Sequence, residues 1–313
     1  MRRWLPLVLL LMLPACNRPT GKVIAVVPKG QAHVFWQSVH AGAAAAGREF
    51  GVSIEWNGPA SETEYSKQVE IVENFLSRRV DGVLLAPTDR KALVGVIEKA
   101  KRMNVPVTIF DSGADTESYV SFVATDNYAG GQIAGRRMGE LLKGKGSVAI
   151  IAVAPGSAST LDREKGFQDT LAKEFPGIRI ADLQYGMSDR ARSLAVAEDL
   201  LTAHPGLTGI FASNESSTVG ASQALKARGL AGKIQLVGFD SSTSLVEDLK
   251  AGVIDSLVVQ NPYRMGYEGV KTLVDHLAGR VPPRRIDSGA VLVKRDDLNK
   301  PEVQKLLNPE LRF

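Results

Sequence analysis

Apolar and polar residues follow two periods along this chain, and the two periods take turns. Short apolar runs at 23–27, 52–56, 83–86 and 106–110 have the length and β-branched content of buried strands. Longer stretches with helical spacing separate them: 35–50, rich in alanine; 62–78, with Val69, Val72 and Leu76 on one face; and 89–103. A further run, 119–124, ends at Thr125-Asp126-Asn127, and the alternation then restarts. Helices are predicted at 127–142, 162–175 (stopped by Pro176-Gly177), 190–203 and 216–227, with strands at 148–153, 178–183, 209–212 and 234–239. A short helix, a strand at 255–260, a helix from Asn261-Pro262 to Leu277 and one closing strand at 286–293 complete the order. Strands spaced by helices of this length predict an α/β fold of right-handed crossovers, with parallel sheets covered on both faces.

At 313 residues the chain exceeds the usual size of a single core, so two doubly wound lobes are expected. A weak internal repeat agrees with this, since each half ends a strand in Phe-Asp-Ser, at Phe110-Asp111-Ser112 and Phe239-Asp240-Ser241. The chain is expected to cross between lobes at Thr125-Asp126, Gln260-Asn261 and Ser288-Gly289. One lobe then comprises 22–125 plus 261–289, and the other 126–260 plus 290–313. Thr125, Asp126, Gln260, Asn261 and Gly289 would form a three-segment hinge, which permits bending but not free tumbling.

Composition narrows the function. Apolar residues at 44% and charged residues at 23% describe a water-soluble globular chain. Two units of the formal charge of +4 come from Arg2 and Arg3, and no long block of like charge calls for nucleic acid. Met1-Arg2-Arg3, an apolar stretch at 5–13 and Leu13-Pro14-Ala15-Cys16 read as a secretory leader, 1–15. It looks like a bacterial lipobox, in which Cys16 is lipidated and 16–21 is a tether, although Pro14 is not the usual occupant of its position. The apolar stretch falls short of the about 20 residues that span a bilayer. Cys16 is the only cysteine, which excludes internal disulfides and thiolate zinc sites.

Candidate chemistry gathers at the strand tips. A carboxylate at the C-terminal end of a parallel strand stands in the crevice where such sheets bind ligands. The competing role is helix capping. No helix follows Asp111 at once, which weakens that reading there, while both roles stay open for Asp240. Asn214 and Gln260 end apolar strands and each offers donor and acceptor together. Arg163 leads a helix, where its fork of donors suits hydroxyls or a carboxylate, though alone it reads better as a surface residue. Phe35 and Trp36 follow the first strand in a chain with 6% aromatics, and aromatic faces stack on sugar rings. About 100° separates adjacent helix positions, so one of the pair can be core while the other faces the crevice. Enzyme signatures fail: Gly139 to Gly146 nearly spells a phosphate loop but lies after a helix, and no Gly-x-Ser-x-Gly elbow occurs. The four histidines show no metal-ligand pairing.

With these residues, and with Pro106-Val107, Thr125-Asp126-Asn127, Gly166-Phe167, the stretch 202–205 and Val237-Gly238-Phe239-Asp240, the chain resembles periplasmic sugar-binding proteins of ABC importers, of the ribose-binding type. The resemblance runs from Lys22 to Val293 and implies the type I two-lobed fold. It implies that Phe35 and Trp36 sandwich a sugar whose hydroxyls bond Asp111, Arg163, Asn214, Asp240 and Gln260, with His33 at a further polar contact. Two departures affect which sugar fits. Ser112 stands where that type has arginine, and Gly186-Met187-Ser188 replaces an aromatic; Lys29, beside the first strand tip, is expected to supply a replacement cation. The implied function is capture of a monosaccharide or polyol by a lipid-anchored, monomeric, non-enzymatic protein that needs no cofactor or metal and delivers to an ABC permease. The expected location is the periplasm or the outer face of the cell membrane. A sensor subunit for a chemoreceptor or kinase, or a glycosidase using Asp111 and Asp240, are the alternatives; released sugar from glycosides would reveal the last.

Overall fold

The structure, a computed structural model, describes residues 21–31, 33–308 and 311–313, so the expected leader and Cys16 lie outside the described residues. In chain order the strands are β1 (Val23–Val27), β2 (Ser53–Trp56), β3 (Gly82–Leu85), β4 (Val107–Phe110), β5 (Phe122–Ala124), β6 (Gly146–Ala152), β7 (Ile178–Tyr185), β8 (Gly209–Ala212), β9 (Gln235–Phe239), β10 (Ser256–Gln260), β11 (Arg285–Asp287) and β12 (Ala290–Lys294). The helices are α1 (Val34–Phe50), α2 (Tyr65–Ser77), α3 (Val94–Arg102), α4 (Asn127–Leu141), α5 (Ala158–Glu174), α6 (Arg190–Ala203), α7 (Glu215–Ala227), α8 (Thr243–Ala251), α9 (Pro262–Leu277) and α10 (Pro301–Leu307). Among the described residues no helix is long and apolar enough to cross a membrane.

Two six-stranded sheets result, in the orders β11-β5-β4-β3-β1-β2 and β12-β10-β9-β8-β6-β7. Central strands such as β3 (GVLL) and β8 (GIFA) are buried along their whole length, as parallel strands covered on both faces require. Each sheet carries one apolar cluster per face, for instance Val27, Leu85 and Ile109 on one side of the first sheet and Ile24, Leu84 and Phe110 on the other. The chain passes from the first sheet to the second after β5, returns after β10 and crosses once more between β11 and β12.

Four local expectations change. The single closing strand at 286–293 is two strands in different sheets, broken where Gly289 takes φ +82. That left-handed residue turns the chain at no Cβ cost, and β12 then runs antiparallel to β10, the one antiparallel pairing among the described strands. Asp89 does not start α3; its side chain accepts from the Lys91 and Ala92 amides and caps a turn ahead of that helix. α5 begins at Ala158, four residues before the expected 162, which brings Ser159 and Thr160 into the helix. α10 was not expected; Val303 anchors it to the core of the second sheet.

In each half a helix pair packs backbone to backbone through facing glycines, one from each helix. Gly42 of α1 lies against the Tyr263 carbonyl and Gly266 of α9 against that of Val39. In the second half Gly131 of α4 lies against the Arg163 carbonyl and Gly166 of α5 against that of Tyr128. This second contact sets the position of Arg163. A Cβ at Gly131 would collide with the Arg163 carbonyl, whereas one at Gly95 in α3 would meet nothing within 4 Å. Gly131→Ala should therefore lower stability by about 1–3 kcal/mol or more, and Gly95→Ala should raise it by up to ~1 kcal/mol. Urea denaturation of the two variants beside the parent measures both.

Candidate ligand-binding cleft

Polar side chains from both sheets meet at the C-terminal ends of the strands. The two repeated aspartates have the same backbone conformation, with Asp111 at φ 58 and Asp240 at φ 67. The left-handed region costs a non-glycine residue roughly 1–2 kcal/mol, so both turns are held against a local penalty. Asp111 follows β4, and Asp240 follows β9; both line one cavity with Lys29, His33, Phe35, Trp36, Glu62, Ser159, Thr160, Arg163, Asn214, Glu215 and Gln260. The space among them is only ≈ 30 Å³.

Each buried charge has an opposite number. Lys29 Nζ lies 2.9 Å from Asp111 Oδ2 and donates across to Ser159 Oγ (3.0 Å) and Ser157 Oγ (3.2 Å) at the head of α5. The Lys29–Asp111 contact is an ion pair without hydrogen-bond geometry, and Asp111 Oδ2 remains a buried acceptor with no hydrogen bond. Arg163 is buried, contrary to a surface reading. It donates to Asn127 Oδ1 (2.8 Å) and the Ser213 carbonyl (3.0 Å), stacks 3.9 Å over the Phe239 ring and reaches to 4.0 Å from Asp240 Oδ2.

Asp240 does not cap α8, the helix that follows it. Its Oδ2 accepts from the Glu215 amide (3.1 Å) at the start of α7, and its Oδ1 accepts from Gln260 Nε2 (2.7 Å). Burial raises its pKa above the ordinary range, against the pull of Arg163 and the Gln260 bond and with the charges of Asp111 and Glu215 adding to it. Gln260 Oε1 is a second buried acceptor at the cavity without a partner. Asn214 caps α7 by accepting from the Ser217 amide and donates to Ser188 Oγ (2.9 Å), so capping and cavity lining coincide.

Phe35 and Trp36 both line the cavity, edge to face at 4.8 Å, and Trp36 also packs edge-on against Phe110 in the core. The Trp36 indole donates to Glu62 Oε1 at 2.8 Å. His33 Nδ1 bonds Glu215 Oε2 at 3.1 Å across the cleft, and Arg190 grips Glu215 from behind, with Nη2 at 2.5 Å. Burial opposes the imidazolium, but the Glu215 bond and the charges of Glu62 and Glu215 outweigh it, and the His33 pKa rises to about 9. Ser112 does not line the cavity; its Oγ accepts from the Ser159 amide at 3.1 Å and so joins the two halves beside it. Glu62, Glu215, Ser159 and Thr160 line the cavity without having been singled out in the sequence. No group of three or more His, Cys, Asp or Glu among the described residues is placed to hold a metal ion.

The crossings are knit together. Thr125 Oγ1 lies 3.2 Å from Ser288 Oγ and donates to the Gly289 carbonyl (3.1 Å). Asp287 accepts from the Asp126 and Gly289 amides. Asn261 caps α9 through the Arg264 amide, while Gln260 lines the cavity.

Residues 24–280 match the family model of the periplasmic binding protein domain. The D-ribose/D-allose-binding protein of Pseudomonas aeruginosa is 32% identical over 277 residues, 86% of either chain. Among solved structures, a carbohydrate transporter solute binding protein from Agrobacterium radiobacter in complex with D-arabinose superposes with a TM-score of 0.90 at 34% identity, covering 93% of this chain and 100% of that one. An ABC transporter solute binding protein from Agrobacterium vitis with bound D-fucose gives 0.89 at 37% identity, over 91% and 100%.

Behind the cavity, Glu164 accepts from the Val153 amide and from Ser213 Oγ, and burial lifts its pKa to about 7 despite those bonds and Arg163. A carboxyl raised in the folded state stabilises fully below its unfolded pKa, and that contribution is lost as pH rises through about 7. Glu164→Gln, which does not titrate, should therefore gain on the parent by up to ~3 kcal/mol between about pH 4.5 and pH 8. Denaturation midpoints of both proteins across that range give the difference.

Proposed function

The chain belongs to the periplasmic binding protein family, and on that footing we propose that it captures a monosaccharide or polyol in the cleft between its two halves and delivers it to an ABC permease. The observation that carries this reading is a cavity lined from both sheets in which two buried acceptors make no hydrogen bond: Gln260 Oε1, and Asp111 Oδ2, which has only its ion pair with Lys29. Buried acceptors are costly unless met, and a hydroxylated ligand supplies donors. Phe35 and Trp36 offer an apolar face beside them, the pairing of surfaces that a sugar ring presents. The sugar-binding names of its relatives point the same way.

In this reading Lys29, His33, Phe35, Trp36 and Asp111 act from the lobe of 22–125 plus 261–289, while Ser112 braces the cleft from beside it. Arg163, Asn214, Asp240 and Gln260 act from the lobe of 126–260 plus 290–313. The crossings at Thr125-Asp126, Gln260-Asn261 and Gly289 bend to open and close them. The protein works as a monomer outside the cytoplasm, in the periplasm or on the outer face of the cell membrane, held by a lipid on Cys16. It binds without catalysing.

A thermal-shift screen with D-ribose, D-allose, D-arabinose, D-fucose and D-tagatose tests the ligand class, since a ligand specific to the native state raises the melting temperature by mass action. At least one of the five should raise it. Asp111→Asn, which turns an acceptor into a donor at unchanged size, should weaken that sugar by about 100-fold, as a charge-assisted hydrogen bond of 1.5–3 kcal/mol implies. Its far-ultraviolet dichroism should stay that of the parent. A flat screen, or full affinity in the variant, contradicts the assignment. Loss of sugar uptake on deletion of the gene separates transport from sensing.

A further inference from the structure

His33 and Glu215 come from different halves of the molecule. His33 stands between β1 and α1 beside the first sheet, and Glu215 opens α7 behind β8 of the second. Their contact at 3.1 Å is one of several across the cleft, the others being Lys29 to Ser157 and Ser159, the Ser159 amide to Ser112 Oγ, and the Arg90 amide to the Gly156 carbonyl. Of these, only the His33–Glu215 contact joins a titratable base to a carboxylate. We infer that the His33–Glu215 ion pair is a latch made when the lobes close, and that Arg190 is a positioning residue that holds Glu215 ready for it.

The geometry explains why both outer partners are needed. Glu215 is almost wholly buried, and an unpaired carboxylate there would be strongly unfavourable. Arg190 Nη2 and Nε bond its two oxygens at 2.5 and 3.3 Å from α6, within the same half. When the lobes part, Glu215 keeps that partner and its orientation, and His33 returns to solvent. Closure desolvates the imidazole between Glu215 and Glu62, whose Oε1 lies 3.8 Å from Nε2 and is already held by the Trp36 indole. The charged groups facing His33 are therefore Glu215 from α7, Glu62 from the loop before α2, and Arg190 behind Glu215; Lys29, Asp111, Arg163 and Asp240 line the same cavity.

Two consequences follow. With Nδ1–H committed to Glu215 and Nε2–H too far from Glu62 for a hydrogen bond, a protonated His33 meets a ligand oxygen as donor only. Closure also becomes linked to a proton. His33 binds its proton more tightly in the closed form, where its pKa is about 9, than at the ordinary value of 6.5. The latch is at full strength below about 6.5 and is lost as pH rises through about 9. On the acid side it weakens only when Glu215 protonates, below the ordinary carboxylate range, because burial is outweighed there by bonds from His33 and Arg190.

The proton linkage rests on the sugar-capture reading, and calorimetry separates the two. Parent protein, His33→Asn and Glu215→Gln are titrated with D-ribose, D-allose, D-arabinose and D-fucose near pH 8 in buffers of different ionisation heat. A sugar that binds the parent should carry roughly one proton into the complex. Its affinity should fall on the order of a hundredfold between about pH 6.5 and pH 9. Both signals should vanish in His33→Asn and shrink in Glu215→Gln, with melting temperatures showing that the variants fold. A sugar that binds the parent without proton uptake overturns the latch and leaves sugar capture standing. If none of the four binds, sugar capture is what fails, and the latch is read from small-angle X-ray scattering of the unliganded protein at about pH 6 and pH 9.5. A smaller radius of gyration at the lower pH, absent in His33→Asn, supports the latch; the same radius at both pH values overturns it.

Discussion

Charge burial is the constraint around which this molecule is built. Asp111, Asp240, Glu215, Lys29 and Arg163 are all nearly inaccessible, and all but Arg163, which comes from α5, follow closely on strands whose own residues are almost entirely apolar. An isolated ion in such a place is several kcal/mol unfavourable. The chain meets that cost by pairing: Lys29 with Asp111, Arg163 near Asp240, His33 and Arg190 with Glu215. The His33–Glu215 pair joins the two halves, as do the Lys29 bonds to Ser157 and Ser159, so this part of the polar interior is complete only when the halves are together. That dependence makes a rigid pair of sheets into a device with two states.

The space of ≈ 30 Å³ left in the cleft shows how far the side chains close on one another. It is far below the ~300 Å³ at which ligand pockets begin. A sugar entering this cleft has to separate some of these pairs and replace their contacts with its hydroxyls. It shifts the balance toward closure only by the contacts it makes in the closed state and lacks in the open one. Gln260 Oε1, without a partner, and Asp111 Oδ2, ion-paired to Lys29 but not hydrogen-bonded, are where such contacts would add most. The glycine-mediated contacts between α1 and α9 and between α4 and α5 keep each half stiff, leaving the crossings as the place where motion is absorbed.

Much of this was legible in the sequence because the strands and helices differ in period and the two halves echo each other. The Phe-Asp-Ser repeat marked both strand-tip aspartates, and the structure gives them nearly the same backbone angles. Capping looked equally good for Asp240, since a helix does follow it; only the tertiary fold shows its carboxylate turned to the amide of α7 instead. Taken alone Arg163 reads as a surface residue, because Asp162 and Glu164 flank it and nothing local reveals the Phe239 ring beneath it; only the resemblance points it to the cleft. Ser159 and Thr160 were missed because α5 starts earlier than its apolar pattern does. Glu62 and Glu215 carry no motif, and their place at the cavity depends on residues far away in the chain. The apolar pattern over 286–293 runs on across the expected Ser288-Gly289 crossing, so by itself it does not show the sheet boundary that Gly289 makes possible.

The central claim is that facing side chains on two lobes shut around one small polyhydroxy molecule. Small-angle X-ray scattering of the protein in solution, with and without a saturating monosaccharide that raises its melting temperature, tests it most directly. The account predicts a smaller radius of gyration and a scattering curve that approaches the one calculated from the closed structure once sugar is present. A sugar that binds while the curve stays unchanged, with the lobes as far apart as before, would contradict it.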